Sequence, residues 1–431
     1  MYIRNDIKTI FCLNNMNRLV LIGNGFDLAH DLKTSYADFI DWYFEKRYDD
    51  LLETHNDVSE DPLLTIRYQW HEALSVYLVN QVRYNQTFGN LSKRQRMEWI
   101  MGNSDEFDSI PSPLFKRILL NYDKKNWEGI EQDYYDILKE YAFRDPKTDP
   151  TPPPIKALNE QLRFLQKKLV EYLTEVCSQK PDKIESIEDA IYAPMRKADM
   201  SIDGIKEWEK HLDYWKETSL KGDAPIEEKI DKFGWDYGRT MHRINIWKES
   251  PKTSTIPEAF YLPNDILFLN FNYTNTAQLY IKPRYRNQEN HIHGEISNQR
   301  SIIFGYGDEL DEKFKELKEH KNNACLSHIK SIRYLEAPNY RNMLSFIESE
   351  PFQVIILGHS CGNSDRTLLN TIFEHPNCVS IKPYYYVTDK EKGTDNYTEL
   401  VQHISRNFND MKLMRARVVN KTQCQPLVTA K

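Results

Sequence analysis

Short apolar runs followed by glycine or asparagine occur near the start of the chain and again after residue 260. The runs cover residues 18–22, 266–269, 301–304, 354–357 and 379–387. Most have few polar positions and end at turn residues, as is typical of strands that are buried on both faces. The pattern therefore predicts an α/β domain whose strands lie far apart in the sequence.

The region between these runs has the periodicity of helices. Apolar residues at 36, 39, 40 and 43 share one helical face, and Ser35-x-x-Asp38 can cap the start of that helix. Residues 128–142 and 203–219 have similar patterns. Residues 155–176 keep a 3-4 apolar spacing, which indicates packing against one partner helix. A long helix inside a helical domain is favoured over an exposed dimerising coiled coil, because the seam has only about three heptads.

The α/β domain is therefore predicted to be discontinuous. Residues 17–44 and 261–431 would form it, and residues 45–260 would form a large helical insertion. Five prolines between Pro146 and Pro154 mark a loop or linker within that insertion. Residues 1–16 are predicted to be an N-terminal extension that precedes the first strand.

The composition narrows the class of protein. The chain has 431 residues, 28% of them charged, and a net charge of −7 without any run of five basic residues, so there is no strong nucleic-acid signal. Six cysteines without a CxxC pair argue against a zinc site and a disulfide framework. The sequence has no secretion signal and no window of about 18 apolar residues, so we expect a cytoplasmic protein without membrane contact.

The first candidate for chemistry is Gly23-Asn24-Gly25, which follows the first strand together with Asp27. Two glycines let a backbone approach a phosphate and point N–H groups towards it. Asp27 can bind a ribose hydroxyl, take part in catalysis or cap the turn. Leu28 stands where a dinucleotide fingerprint has its third glycine, so a tight turn without a ligand is equally open.

The second candidate is the asparagine-rich end of the next strand, Leu269 to Asn275. Polar residues at the carboxyl ends of strands in an α/β sheet face the ligand crevice. Asparagines are costly to bury without partners, which favours a binding role over turn chemistry alone.

The third candidate is His291-Ile292-His293-Gly294. In a strand, the alternation places both imidazoles on one face. Further metal ligands at a suggestive spacing are missing, so we expect no metal and favour one general base beside a structural histidine. Gly294 would let a substrate come close to that base.

The fourth candidate, Gly358-His359-Ser360-Cys361-Gly362, matches the G-x-S-x-G elbow of α/β-hydrolases. In that fold the acid and the histidine follow the serine, which leaves Asp389 or Asp395 with His403. An elbow also runs directly into a helix, whereas here the helix is predicted to start at Ser364 or Asp365. A serine hydrolase is therefore an alternative with weak support.

Taken together, these segments resemble the AbiH family of bacteriophage abortive-infection proteins. The resemblance lies in LVLIGNGFDLAHDLKTSYADF, WEGIEQDY, LNFNYTNT, HIHGEI with IIFGYGD, and ILGHSCGNSDRTLL, in that order from about residue 17 to residue 374. It implies a role in phage defence and a phage-derived protein as a possible trigger.

The same layout is similar, more remotely, to sirtuin-like NAD-handling domains, which implies a Rossmann-like, mostly parallel sheet with helices on both faces. By this resemblance Asn272 and His293 match the catalytic asparagine and histidine. Thr274 stands in place of the aspartate of the sirtuin-like strand end, and the cysteine-metal module of deacetylase sirtuins is absent. The first departure, together with Asn24-Gly25-Phe26-Asp27 in place of the sirtuin-like Ala-Gly-x-Ser, leaves room for a nucleotide other than NAD. The missing cysteine-metal module argues against protein deacetylation.

The resemblance thus implies hydrolysis of NAD⁺, or a related nucleotide, at the nicotinamide–ribose bond, with NAD as substrate. The residues expected to contact the nucleotide are Gly23, Asn24, Gly25, Asp27, Tyr273, Gly294, Gly358, Ser360 and Asp365. A serine hydrolase at Ser360 and a non-catalytic nucleotide-binding phage sensor are the alternatives. Assembly into a homo-oligomer is open.

Overall fold

The computed structural model describes residues 16–70, 72–120, 127–145, 154–178, 180–222, 226–227, 230, 236–252, 254–282 and 288–428. The strands in these ranges, in chain order, are β1 (Asn17–Ile22), β2 (Val58–Glu60), β3 (Leu64–Tyr68), β4 (Phe107–Pro111), β5 (Ile266–Asn270), β6 (Gln288–His291), β7 (Phe352–Leu357), β8 (Cys378–Tyr384), β9 (Val387–Asp389) and β10 (Thr394–Asp395).

The α-helices in the described residues fall into two groups, before and after β5. The first group is α1 (Asn24–Ala29), α2 (Tyr36–Glu53), α3 (Leu74–Tyr84), α4 (Gln86–Gly89), α5 (Lys93–Gly102), α6 (Pro113–Leu120), α7 (Trp127–Ala142), α8 (Ile155–Val176), α9 (Glu185–Tyr192), α10 (Ile202–Leu220) and α11 (Tyr237–Glu249). The second group is α12 (Glu312–Glu319), α13 (Lys330–Arg333), α14 (Asn339–Ser349), α15 (Arg366–Phe373), α16 (Tyr397–Arg406) and α17 (Met411–Arg417).

The main sheet has five strands in the order β6-β5-β1-β7-β8, and every neighbouring pair is parallel. All residues of β1, β5, β7 and β8 are buried, because helices cover both faces. The predicted α/β fold with a mostly parallel sheet is confirmed and is consistent with a Rossmann-like arrangement. Its strands lie on both sides of the predicted insertion in the sequence.

The two faces of the sheet carry separate hydrophobic cores. Leu19 and Leu21 of β1 face a core shared with α14, α15, α16 and α17. Val20 and Ile22 face the opposite core, shared with α9, α10 and α11. Because side chains alternate along a strand, β1 anchors both helical layers.

A third core joins α2, α3, α5, α6, α7 and α8 to a small antiparallel sheet of order β2-β3-β4. The apolar seam of α8 is buried in this core, so the prediction of a long helix packed within the chain is confirmed. Ser35 Oγ accepts from the Asp38 N–H at 3.1 Å, which confirms the predicted cap of α2. The helices predicted at 128–142 and 203–219 correspond to α7 and α10.

Two strand predictions need correction. Residues 301–304 do not form a strand. Ser301 ends a short 3-10 helix, and Ile302–Phe304 are buried but do not pair with a neighbouring strand. The N–H of Ile303 donates to the His293 carbonyl at 2.8 Å, so this apolar segment packs through single hydrogen bonds. The run at 379–387 is divided between β8 and β9.

The small sheet β2-β3-β4 was not predicted from the sequence. Residues 1–15, most of the proline segment and His71 lie outside the described residues. Within the described residues, none of the helices combines the length and the apolar character that a membrane span requires.

Candidate active site

A cavity of about 300 Å³ lies at the carboxyl ends of β1, β5 and β7. The ends of parallel strands meet at one edge of a sheet, so the motifs after these strands meet there as well. Ten predicted site residues line the cavity: Gly23, Asn24, Gly25, Asp27, Asn272, Tyr273, His293, Gly358, Ser360 and Asp365. The structure therefore brings four distant segments together in one place.

Gly294 is the predicted site residue that does not line this cavity. Its φ of +83° favours glycine, and a Cβ added there would lie 2.3 Å from the Ser301 carbonyl oxygen. The turn and its close packing explain this glycine without a substrate.

The two glycines of the first turn pack one loop against another. The Gly23 N–H donates to the Leu357 carbonyl at 3.2 Å, and the Gly25 N–H donates to the Gly358 carbonyl at 2.8 Å. A Cβ at Gly25 would lie 2.9 Å from the Gly358 Cα, so only glycine permits this approach. These two N–H groups are engaged by the protein itself and are not directed at a phosphate.

Asp27 is a buried carboxylate in the cavity wall. Its Oδ2 accepts from Thr274 Oγ1 at 2.6 Å, while Oδ1 is buried without a well-formed hydrogen bond. Burial raises the pKa of Asp27 to about 6, against the opposing effect of hydrogen bonds from Thr274, Thr276 and Asn272. Because its partner is a side chain of the neighbouring loop, Asp27 does not cap its own turn.

Asn272 ties the end of β5 to the first turn. Its Nδ2 donates to the Gly23 carbonyl at 3.0 Å, and its N–H donates to Asn270 Oδ1 at 2.9 Å. The Asn272 amide also stabilises the charge of Asp27. With the amide nitrogen directed at the protein, Oδ1 is the group that Asn272 can offer to a ligand or a water molecule.

The two histidines of the third motif point to different places. β6 ends at His291, so a turn follows and the predicted common strand face for both imidazoles is wrong. His291 Nε2 lies 3.0 Å from Glu289 Oε1, outside the cavity. His293 lines the cavity, and its Nε2 lies 3.2 Å from both Asp365 Oδ1 and the Tyr334 hydroxyl.

A buried cation lies between two buried carboxylates beside His293. Lys330 Nζ lies 2.8 Å from Glu131 Oε2 and 2.8 Å from Asp365 Oδ1. Glu131 belongs to α7, Lys330 begins α13, and Asp365 directly precedes α15. The network therefore joins a helix of the predicted insertion to the edge of the parallel sheet.

Sequence reasoning did not identify Glu131 or Lys330 as site residues. The segment WEGIEQDY contains Glu131, so the family resemblance offered one signal for it. For Lys330 the available signal was a single lysine between Ile329 and Ile332. The apolar part of the cavity wall was missed as well: Leu28, Leu169, Leu173, Phe271 and Phe304.

The network sets the charge of the histidine. Burial lowers the pKa of His293, and Lys330 acts in the same direction. Burial alone would raise the pKa of Asp365, but Lys330 and His293 hold that pKa well below its usual range. Burial also raises the pKa of Glu131. His293 is therefore neutral at neutral pH, and its Nε2–H donates to the ionised Asp365.

A neutral imidazole carries one proton, so Nδ1 of His293 holds a lone pair when Nε2 is protonated. A histidine oriented by a carboxylate in this way can accept a proton during a reaction. Among the described residues, no group of three or more His, Cys, Asp or Glu side chains is placed to hold a metal ion.

The predicted triad partners of Ser360, all of them within the described residues, do not contact its hydroxyl. His403 Nδ1 lies 3.1 Å from the Ser360 backbone oxygen, not from its hydroxyl. The two candidate acids are engaged elsewhere, since Asp389 pairs with Lys392 at 2.9 Å and Asp395 pairs with Lys421 at 2.7 Å. α15 begins at Arg366 after a 3-10 helix, close to the predicted start and too late for an elbow.

Comparison with known proteins identifies the family. The family model described as bacteriophage abortive infection AbiH matches residues 19–386. No curated protein and no solved structure matches the chain. The matched range includes every residue that lines the cavity. The chain therefore belongs to the AbiH family, a family of bacteriophage abortive-infection proteins.

Proposed function

We propose that this protein cleaves the nicotinamide–ribose bond of NAD⁺, or of a related nucleotide, and defends the cell by depleting that nucleotide during phage infection. The observation that carries the proposal is the pairing of His293 with Asp365 in the same cavity as Asn272 and Asp27. The remote resemblance to sirtuin-like domains agrees with the roles given to Asn272 and His293.

The chemistry of the bond fits groups of these types. Its cleavage develops positive, oxocarbenium-like charge on the ribose, as in other glycosidic cleavage. Nicotinamide leaves as a neutral amine, so strong acid assistance is unnecessary. His293 would accept the proton of the attacking water, and Asn272 Oδ1 would orient that water or a ribose hydroxyl.

The charge of the cavity favours a cationic centre. Three carboxylates line it, and Lys330 is the only lysine or arginine among the described lining residues. Lys330 is held between two of those carboxylates, which leaves the buried carboxylate of Asp27 without a cationic neighbour in the lining. A positively charged nicotinamide or ribosyl cation would be stabilised here, whereas a phosphate would be repelled.

The size of the cavity also favours the nicotinamide–ribose part of the nucleotide as its occupant. A volume of about 300 Å³ lies at the lower end for small-molecule sites. Such a cavity encloses a nucleoside more readily than a whole dinucleotide. We infer that the nicotinamide and its ribose enter, while the pyrophosphate remains outside the first glycine turn.

The test is the release of nicotinamide from NAD⁺ by purified protein, with and without phage lysate. His293→Asn is expected to lower the rate by about 10²–10⁴-fold, the usual effect of removing a general base. His242→Asn is the matched control, because His242 is exposed on α11.

Full activity in His293→Asn would overturn the catalytic assignment. If NAD⁺ stabilises the protein against heat but is not cleaved with or without phage lysate, the protein is a nucleotide sensor and not a hydrolase. The same two variants, tested for protection of cells against phage, link the chemistry to defence.

A further inference from the structure

A second cavity of about 550 Å³ lies on the sheet face that α9 and α10 cover. Arg18 and Gln353, near the amino ends of β1 and β7, line its floor. The candidate active site lies at the carboxyl ends of the same two strands. The two cavities share no lining residue, so the second one needs an explanation of its own.

The charge of the second cavity is opposite to that of the first. Four basic side chains and two acidic ones line it among the described residues. Asp199 is shared by Lys382 at 3.0 Å and Arg196 at 2.8 Å. Lys197 at the mouth pairs with Glu209 at 2.6 Å. An excess of positive charge in a chain of net charge −7 is a local feature of this cavity.

Arg18 is the strongest indication that this cavity suits an anionic ligand. It is 2% exposed, and its guanidinium donates to the carbonyls of Ile191 and Ala193 and to Gln353 Oε1, all of them neutral. Its Nε is buried without a hydrogen-bond partner, and no carboxylate of the described residues forms an ion pair with it. Burial lowers the pKa of Arg18 to about 10, against the opposing electrostatic effects of Tyr384 and Asp199, which line the same cavity. Buried arginines are usually paired with an anion.

Aromatic side chains form one wall of the second cavity, beside these cations. The rings of Trp208 and Tyr261 stack with centroids 5.7 Å apart and an interplanar angle of 15°. Tyr384 lines the same cavity, and Trp208 Nε1 is buried without a hydrogen-bond partner. Flat aromatic faces of this kind bind planar rings by stacking.

We propose that the second cavity binds a nucleoside phosphate. The phosphates would contact Arg18, Lys382 and Arg196, and the base would lie against the wall formed by Trp208 and Tyr261. A volume of about 550 Å³ suits a ligand of this size and is too small for a folded partner segment. This site does not depend on the chemistry proposed for the first cavity.

The experiment is calorimetric titration of the full chain with ATP, inorganic pyrophosphate and adenosine. ATP is expected to bind, pyrophosphate to bind more weakly, and adenosine to bind weakest because it carries no negative charge. Arg196→Gln with Lys197→Gln should weaken ATP binding at least tenfold. Both side chains are about half exposed at the mouth, so this double variant is expected to fold.

Two controls locate the binding. Lys210→Gln with Lys216→Gln makes the same change of charge on α10, where each lysine pairs with an acid of its own helix. That variant and His293→Asn should both bind ATP as the wild type does. Arg18→Gln tests whether the buried arginine contributes to ATP binding. Because loss of this buried side chain can unfold the chain, the double variant Arg196→Gln with Lys197→Gln is the decisive test.

If the double variant Arg196→Gln with Lys197→Gln binds ATP as tightly as the wild type, the proposal that the second cavity binds a nucleoside phosphate is wrong. Adenosine that binds as tightly as ATP, or ATP that gives neither heat nor thermal stabilisation, would also overturn it. Loss of ATP binding in His293→Asn alone would place the nucleotide in the first cavity instead.

Discussion

Nζ of Lys330 lies 2.8 Å from Oδ1 of Asp365, the same oxygen that His293 Nε2 approaches to 3.2 Å. One carboxylate oxygen therefore contacts both a buried ammonium group and the candidate base. Since Glu131 of α7 binds the same ammonium group, the orientation of His293 depends on a helix of the predicted insertion. Folding of that insertion and formation of the site are thus coupled.

Replacing Lys330 with methionine should destabilise the protein strongly. The change leaves Glu131 and Asp365 buried without their shared cation, which typically costs about 3–5 kcal/mol. Urea unfolding at pH 7 measures the effect. Lys313→Met on α12 is the matched control, because Lys313 forms an exposed pair with Glu316 at 2.9 Å and its loss should cost no more than about 1 kcal/mol.

The same network predicts non-additivity. In Lys330→Met, the carboxylates of Glu131 and Asp365 have lost their shared cation. Adding Glu131→Gln removes one of these two buried charges, so the double variant should be more stable than Lys330→Met alone. If the two single effects simply add, the carboxylates are not coupled through Lys330.

Stability should depend on pH through Asp27. Its pKa in the folded state, about 6, lies above the ordinary 3.8, so the folded chain holds this proton more tightly than the unfolded chain. The contribution of Asp27 to stability is therefore fully present below about pH 4 and is lost as pH rises through about 6, a change of about 3 kcal/mol.

Asp27→Asn tests this directly. The free energy of unfolding of the variant, relative to the wild type, should rise by about 3 kcal/mol between pH 4 and pH 8. Asp105→Asn, at an exposed turn, makes the same change of charge and is the matched control. A flat difference for Asp27→Asn would mean that its carboxyl group is not buried as described.

The parallel sheet and the grouping of its strand-end motifs were predictable from sequence. Apolar runs such as 18–22 and 354–357 are local signals, and parallel topology brings their carboxyl ends to one edge. The pairing of Glu131 with Lys330 was not predictable, because the two are 199 residues apart and neither lies in a strand-end motif. Long-range packing, rather than local pattern, creates that part of the site.

Other sequence signals were ambiguous in physical terms. A Gly-x-Gly turn permits close approach of either a phosphate or another backbone, and here Gly25 meets Gly358. The run at 301–304 is apolar because most of its residues are buried. A buried strand and a buried segment outside any sheet both need apolar side chains, so the pattern does not distinguish them. The strand β3 alternates buried and more accessible positions, so its pattern was present but short.

Ser360→Ala separates the proposed function from serine hydrolysis. Removal of one neutral hydroxyl from a nucleotide contact should weaken nicotinamide release by about tenfold at most. Loss of a nucleophile would abolish turnover, and the wild type would then react with a fluorophosphonate probe in a way that the variant does not. We expect no such labelling, because His403 contacts the Ser360 backbone and has no acid partner among Asp389 and Asp395.

Gly358→Ala should disrupt the contact between the two loops of the site. Gly358 has a φ of +72°, and a Cβ there would lie 2.1 Å from the Phe26 backbone nitrogen. Left-handed backbone costs an alanine about 1–2 kcal/mol, and the forced separation of the loops adds about 1–3 kcal/mol. Gly393→Ala isolates the first contribution, because Gly393 has a φ of +65° with no atom within 4 Å of an added Cβ. Thermal and urea unfolding of both variants measure the difference, and equal destabilisation would show that the close approach of Gly358 to the first turn is unimportant.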